Sequence, residues 1–312
     1  MKGTMMIANR YSRWSVRACL WTAVLLAPAW PQLASAQRTF ETPEAAAQAV
    51  VEAAKANDEN ALIDIFGAKY RDLVATVDHA ADQANREKFA RAASEHLVLR
   101  PDGENKVTIV AGFEAWPLPI PIVREGTRWY FDAAAGSEEL LNRRIGRNEL
   151  TAIELLRAYV NAQRQYASKP RDGSHVRAFA RKVASSPGKR DGLYWSADAD
   201  KGEELSPFGP LIRDLDKRKA NEPYNGYYFK ILTGQGAAAP GGAYSYIING
   251  RMVAGYAMVA APARYGQTGI KTFIINHYGV VYEKDLGANT AKSAAAMTAY
   301  NPDRTWNVVG SE

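Results

Sequence analysis

Cysteine is all but absent from this chain: Cys19 is the only one in 312 residues. It lies in a segment with the marks of a removable leader, so the remainder carries no disulfide, no thiol nucleophile and no thiolate metal ligand. Histidine is nearly as scarce. The four, His79, His96, His175 and His277, fall outside helical or hairpin reach of one another in sequence, which leaves a compact histidine metal site without local support. Long apolar runs are missing after the leader: the best, 252–263, is interrupted by Gly255 and Pro262, so no membrane anchor is expected there. Excess charge is small too. Four of the 39 basic residues and none of the 33 acidic ones fall in the leader, so the formal charge drops from +6 to +2, with 35 basic against 33 acidic. That balance argues against a nucleic-acid partner, which normally needs a concentrated basic face.

What is present begins with an address. Lys2, Arg10, Arg13 and Arg17 form a basic start, and 18–30 is an apolar run too short for a permanent span. Ala34-Ser35-Ala36 supplies the small residues at −3 and −1 that a signal peptidase requires, so cleavage is expected between Ala36 and Gln37. Arg10 and Arg13 are not adjacent, which disfavours the twin-arginine route. Arg17 stands two positions before Cys19, where a lipoprotein signal wants small or apolar residues, so free release to the periplasm or medium is expected.

Removing 36 residues from 312 leaves 276, enough for two domains, each with its own core. The spacing predicts helices at 43–56, 59–66 and 83–96; Thr42 caps the first ahead of Pro43 and Asp58 caps the second. The pattern then switches to strands at 97–99, 106–111, 120–124 and 129–132, which closes an α+β domain at about residue 135. A long helical stretch, 137–167, opens the second half. Gly146 is expected to divide it, and Ile153, Leu156 and Val160 form its apolar stripe. A short helix is expected at 176–183. Strands follow at 227–232, 244–248, 252–260, 272–276 and 280–284, with hairpin turns at Asn249-Gly250 and Tyr278-Gly279. The fold class is therefore α+β in two domains, 37–135 and 136–312, each with helices on an antiparallel sheet.

Three resemblances rest on particular strings. The opening Glu41-Thr42-Pro43-Glu44-Ala45-Ala46 and the closing stretch from Pro119 through Arg124-Glu125-Gly126-Thr127-Arg128-Trp129 to Asp132 resemble the nuclear-transport-factor-2-like superfamily. Its members include both enzymes and inert binding domains, so it implies a fold only. Ala152-Ile153-Glu154-Leu155-Leu156-Arg157-Ala158-Tyr159, Gly226-Tyr227-Tyr228-Phe229 and Ala257-Met258-Val259-Ala260-Ala261-Pro262 resemble a type IV pilin or pseudopilin head. The anchoring apolar half of the pilin helix is missing. Asn142-Arg143-Arg144-Ile145-Gly146-Arg147-Asn148-Glu149-Leu150, Pro187-Gly188-Lys189-Arg190-Asp191-Gly192-Leu193-Tyr194-Trp195 and Asp285-Leu286-Gly287 resemble a family of exported bacterial proteins known as domain of unknown function 2950. That resemblance implies no activity.

Candidate chemistry is sparse. Asp198-Ala199-Asp200-Lys201-Gly202-Glu203 starts like a calcium loop, but its glycine comes one place early and Gly209 stands where a bidentate Glu is needed. Arg171-Asp172-Gly173-Ser174 has too few carboxylates to bind calcium alone. Gly188-Lys189-Arg190 lacks the first glycine and the Ser or Thr of a phosphate loop, and no Gly-x-Ser-x-Gly elbow is present. No cofactor and no metal are implied. The residues left for binding are Lys189, Arg190, Asp191, Tyr194 and Trp195 in the loop 187–195, the pair Tyr227 and Tyr228, and Arg143 with Arg147 one helical turn apart. Each has a plainer reading as packing, a domain bridge or a solvated helix face. The surface formed by 187–195 and the loop 234–244 is where binding is expected. The expected role is an exported binding or assembly-supporting protein of the cell envelope with a protein or glycan partner. The alternative is an envelope-directed hydrolase using carboxylates such as Asp191 or Glu283.

Overall fold

The computed structural model describes residues 37–76, 79–171, 173, 175–209 and 222–310. The leader with Cys19, and Asp172 and Ser174 of the second loop weighed for calcium, lie outside them. The described residues form one compact α+β unit built on two hydrophobic cores.

The first core is made by helices α1 (Pro43–Lys55), α2 (Glu59–Phe66) and α3 (His79–Glu95) against strands β1 (Leu97–Pro101), β2 (Lys106–Ala111), β3 (Trp116–Pro117), β4 (Ile122–Glu125) and β5 (Arg128–Phe131). The sheet is antiparallel, in the order β1-β2-β4-β5, with β3 also paired to β2. The caps work as the sequence indicates: Thr42 Oγ1 accepts from Ala45 N at 3.1 Å and Asp58 Oδ1 from Ala61 N at 3.0 Å. Alternation along β2 buries Val107 and Ile109 beside Ile122, Phe131, Ile65 and Phe66.

Helix α4 (Ala133–Tyr166) then runs through both cores without a break. Asp132 caps it by accepting from Ala135 N at 3.0 Å, Ala133 is part of the first core, and Ala152 to Tyr166 supply the second. The expected break at Gly146 does not occur, because packing at both ends outweighs the cost of one glycine, about 1 kcal/mol.

The second half holds β6 (Tyr227–Leu232), β7 (Gly234–Gln235), β8 (Tyr244–Ser245), β9 (Ile247–Ile248), β10 (Arg251–Met252), β11 (Ala257–Pro262), β12 (Lys271–Asn276), β13 (Val281–Asp285), α5 (Thr290–Ala296), β14 (Ala299–Tyr300) and β15 (Asn307–Val308). Its main sheet is antiparallel in the order β15-β13-β12-β11-β6. Helices α4 and α5 both pack on it, and all six residues of β11 are buried. Two tyrosines lock helix to sheet. The Tyr159 hydroxyl donates to Ala257 O at 3.2 Å and the Tyr256 hydroxyl to Val160 O at 3.3 Å. The Asn249-Gly250 turn forms as expected, with φ of 49° and 79°. The expected strand 252–260 is split in two around Gly255, and β14 pairs in parallel with β7.

Residues 176–183 form no helix, with one bridge at Phe179 and bends at 181 and 183. Phe179 N donates to Met252 O at 2.8 Å, and the buried Gln163 amide grips Ala180 through both its N–H and its C=O, each at 2.8 Å. A side chain of α4 thus supplies the backbone partners that a helix would have supplied internally.

Candidate functional site

The C-terminus of α4 is closed by an arginine. Arg171 Nε donates to Tyr166 O at 3.0 Å, and its guanidinium lies over the rings of Tyr166 (4.8 Å) and Trp195 (5.1 Å). Its side chain is only 7% exposed, and Nη2 meets Glu204 at 3.0 Å, so the buried cation is paired. Arg190 covers the same Trp195 ring at 5.6 Å and takes the other oxygen of Glu204 at 3.0 Å, while Lys169 adds a third cation at 2.9 Å. Burial pushes the Glu204 carboxyl up, but the bonds from Lys169 and Arg171 outweigh it and hold the group below its ordinary value.

Beside this stack opens a cleft of about 460 Å³, lined by Arg171, Arg181, Lys182, Arg251 and Asp191 over a floor that includes Phe179 and Met252. The segment 176–183, held by Gln163 at Ala180 and by the Phe179 bridge to Met252, forms one wall, and the β9–β10 hairpin forms the other. Arg181 Nη1 donates to Gly250 O at 3.3 Å across it. The single carboxylate is already engaged: Asp191 accepts from Lys182 Nζ and Ser186 N, both at 2.7 Å, and from Ser186 Oγ at 3.0 Å. The Lys182 bond, followed by that of Ser186 N, pulls its carboxyl down to about 2. Asp191 is therefore ionised at neutral pH and holds no proton to donate as an acid. Glu283, on β13, faces Lys271 at 3.9 Å. Four cationic side chains and one carboxylate line the cleft; Asp191 offsets Lys182 and Glu204 offsets Arg171, which leaves the lining a positive excess.

The binding residues expected from sequence are divided by the structure. Asp191 lines the cleft, Arg190 sits in the adjoining stack, and Lys189 is exposed at the tip of the loop. Trp195 is 8% exposed, with its indole N–H on Glu204 O at 2.8 Å, and serves as the shelf for two guanidiniums. Tyr194 pairs its backbone with Val183 and Ser185. Tyr227 and Tyr228 point to opposite faces of β6. Tyr227 is fully buried, its hydroxyl on Lys271 O at 2.9 Å, whereas Tyr228 is 47% exposed. Arg143 binds Glu139 at 2.7 Å and Pro117 O at 3.0 Å, and Arg147 lies exposed on the same helix. Sequence reasoning missed Arg181, Lys182, Arg251 and Glu204, which carry no local motif.

Among the described residues, no group of three His, Cys, Asp or Glu side chains is arranged to hold a metal ion. Asp198 bonds Lys201 at 2.9 Å and accepts from Asp200 N at 3.1 Å, and Glu203 accepts from Asp198 N at 3.0 Å, so these carboxylates close their own loop. No helix among the described residues is long and apolar enough to cross a membrane. The model of the family described as Protein of unknown function (DUF2950) matches residues 37–309. No curated protein and no solved structure matches the chain, those of the nuclear-transport-factor-2-like and pilin-head folds included.

Proposed function

We propose, from the premise that the chain belongs to the DUF2950 family, that it is an exported binding protein of the cell envelope that takes an anionic group of its partner into the cleft beside α4. The observation that carries this reading is the gathering of Arg171, Arg181, Lys182 and Arg251 on one cleft, where Asp191 offsets Lys182 and Glu204 offsets Arg171. Arginine forks match carboxylate and phosphate geometry, and a volume of about 460 Å³ suits a small ligand or the end group of a larger one. Arg171 is fixed before any ligand arrives, held between two rings and Glu204, which lowers the ordering cost of capture. Export rests on the leader, with a mature N-terminus at Gln37 that N-terminal sequencing checks.

Binding is tested with polyglutamate and polyphosphate as probes and polyglutamine as the neutral control. Arg181→Ala combined with Arg251→Ala is expected to weaken polyanion binding at least about tenfold with little change in melting midpoint, and added salt is expected to weaken the parent protein's binding. Failure of both polyanions to bind, or binding unchanged in the double variant, overturns the assignment.

A further inference from the structure

A second surface lies outside the cationic cleft, on β8 and the β12–β13 turn. Tyr244 is 37% and Tyr278 60% exposed, yet neither sits on a loose loop. Opposite Tyr244 on β7, the buried Gln235 donates through Nε2 to Pro240 O at 2.7 Å and Gly242 O at 2.8 Å, which pins the glycine-rich loop 236–243 from beneath. Its Oε1 accepts from the Tyr246 hydroxyl at 3.0 Å. On the other side, the fully buried Asn276 accepts from Tyr278 N at 3.1 Å through Oδ1, and its carbonyl accepts from Gly279 N at 2.9 Å, so the turn that presents Tyr278 is tied twice.

The rings between these two points form a continuous file. Tyr246, fully buried, packs edge-on against Tyr244 at 5.5 Å and against His277 at 5.8 Å, and His277 lies 4.4 Å from Tyr278. Gly255 leaves this file its space, since a Cβ there would come within 2.8 Å of the Tyr246 ring and 2.9 Å of His277 Nδ1. Burial chiefly pushes His277 below its ordinary value, against the Tyr256 backbone bond that raises it and with Arg164 that lowers it further. Burial chiefly, and then the neighbouring Tyr278, raises Tyr244. At the border, Arg164 Nη2 donates to His277 O at 3.4 Å and keeps its guanidinium at the rim.

We propose that Tyr244, His277 and Tyr278, with Arg164 at the rim, form a stacking platform for the pyranose rings of a glycan. A pyranose has apolar C–H faces and a polar hydroxyl edge. Two exposed tyrosine rings, one of them tilted against His277, with a guanidinium close by, offer apolar faces and polar groups to match. Tyrosines held rigid before binding lose little freedom on contact, so exposed area here converts to affinity with little ordering cost. None of the four residues lines the cationic cleft, so this site stands or falls separately from the anion site.

The test is calorimetric titration of the full chain with the β-1,4-linked tetramer of N-acetylglucosamine. Saturable binding is expected, with Tyr278→Ala and Tyr244→Ala each weakening it at least about tenfold, Tyr278→Phe by less than about threefold, and Arg181→Ala leaving it unchanged. If Tyr244→Ala lowers the melting midpoint, the more exposed Tyr278→Ala decides. No saturable binding by the parent chain, wild-type affinity in Tyr278→Ala, or capture of a proline-rich peptide in place of the tetramer overturns the proposal.

Discussion

Helix α4 carries two glycines for which the same substitution is expected to act in opposite directions. Gly146 lies mid-helix with nothing within 4 Å of a built Cβ, so Gly146→Ala adds only helix propensity and removes unfolded-state freedom. A gain of about 0.5–1 kcal/mol is expected. Gly136 is buried in the first turn, and a Cβ there would stand 2.5 Å from Ile120 Cγ1 and 3.1 Å from Ile120 Cα. One of those neighbours is backbone, and Pro121 next to it is held by the bond from Asp132 N to its carbonyl at 2.9 Å. Overpacking of about 1–3 kcal/mol outweighs the propensity gain, leaving Gly136→Ala less stable by about 1–2 kcal/mol. For a chain of this size each kcal/mol moves Tm by about 2–4 °C, so the two variants separate by several degrees on opposite sides of the parent. Urea unfolding with an unchanged m-value is the confirming measurement. Destabilisation by Gly146→Ala would mean that the helix bends there after all. Stabilisation by Gly136→Ala would mean that the first turn is not seated on Ile120.

Two further outcomes are expected. Gln163→Leu leaves the buried N–H and C=O of Ala180 without their partner and costs about 2–4 kcal/mol; because the same bonds hold a cleft wall, polyanion binding falls with stability, and a variant that keeps both refutes the role given to Gln163. The Asp191 carboxyl is held at about 2, below its ordinary 3.8, so its contribution to stability is present above pH 4 and is lost as pH falls toward 2. Asp191→Asn is expected to destabilise at pH 7 and to converge on the parent near pH 2, the gap narrowing in high salt because the pair is partly exposed. A gap independent of pH in urea titrations would remove the ion pair as its cause.

What the sequence by itself determined is what acts over a few residues. Thr42 before Pro43 and Asp58 before Glu59 set helix starts because a short polar side chain reaches the next turn's N–H. Asn249-Gly250 set a hairpin because both positions accept positive φ, and the change of period from 3.6 to 2 separated helices from strands. Family membership was legible for the same reason, through specific strings along the chain. Only the tertiary structure decided the rest. Residues 176–183 have helical spacing but form no helix, because a glutamine on another element takes the backbone N–H and C=O of Ala180. Gly146 sits inside one helix because two cores hold its ends. Arg171, the neighbours Arg181 and Lys182, and Arg251 come from three stretches of the chain with no motif between them, and Trp195, in a loop that reads as a binding surface, is buried as the shelf beneath two guanidiniums. Caps, turns and periodicity are energies of neighbouring residues. Which charges share a cleft, and which aromatic faces stay exposed, depends on partners far apart in the chain, and that pairing exists only once the cores have formed.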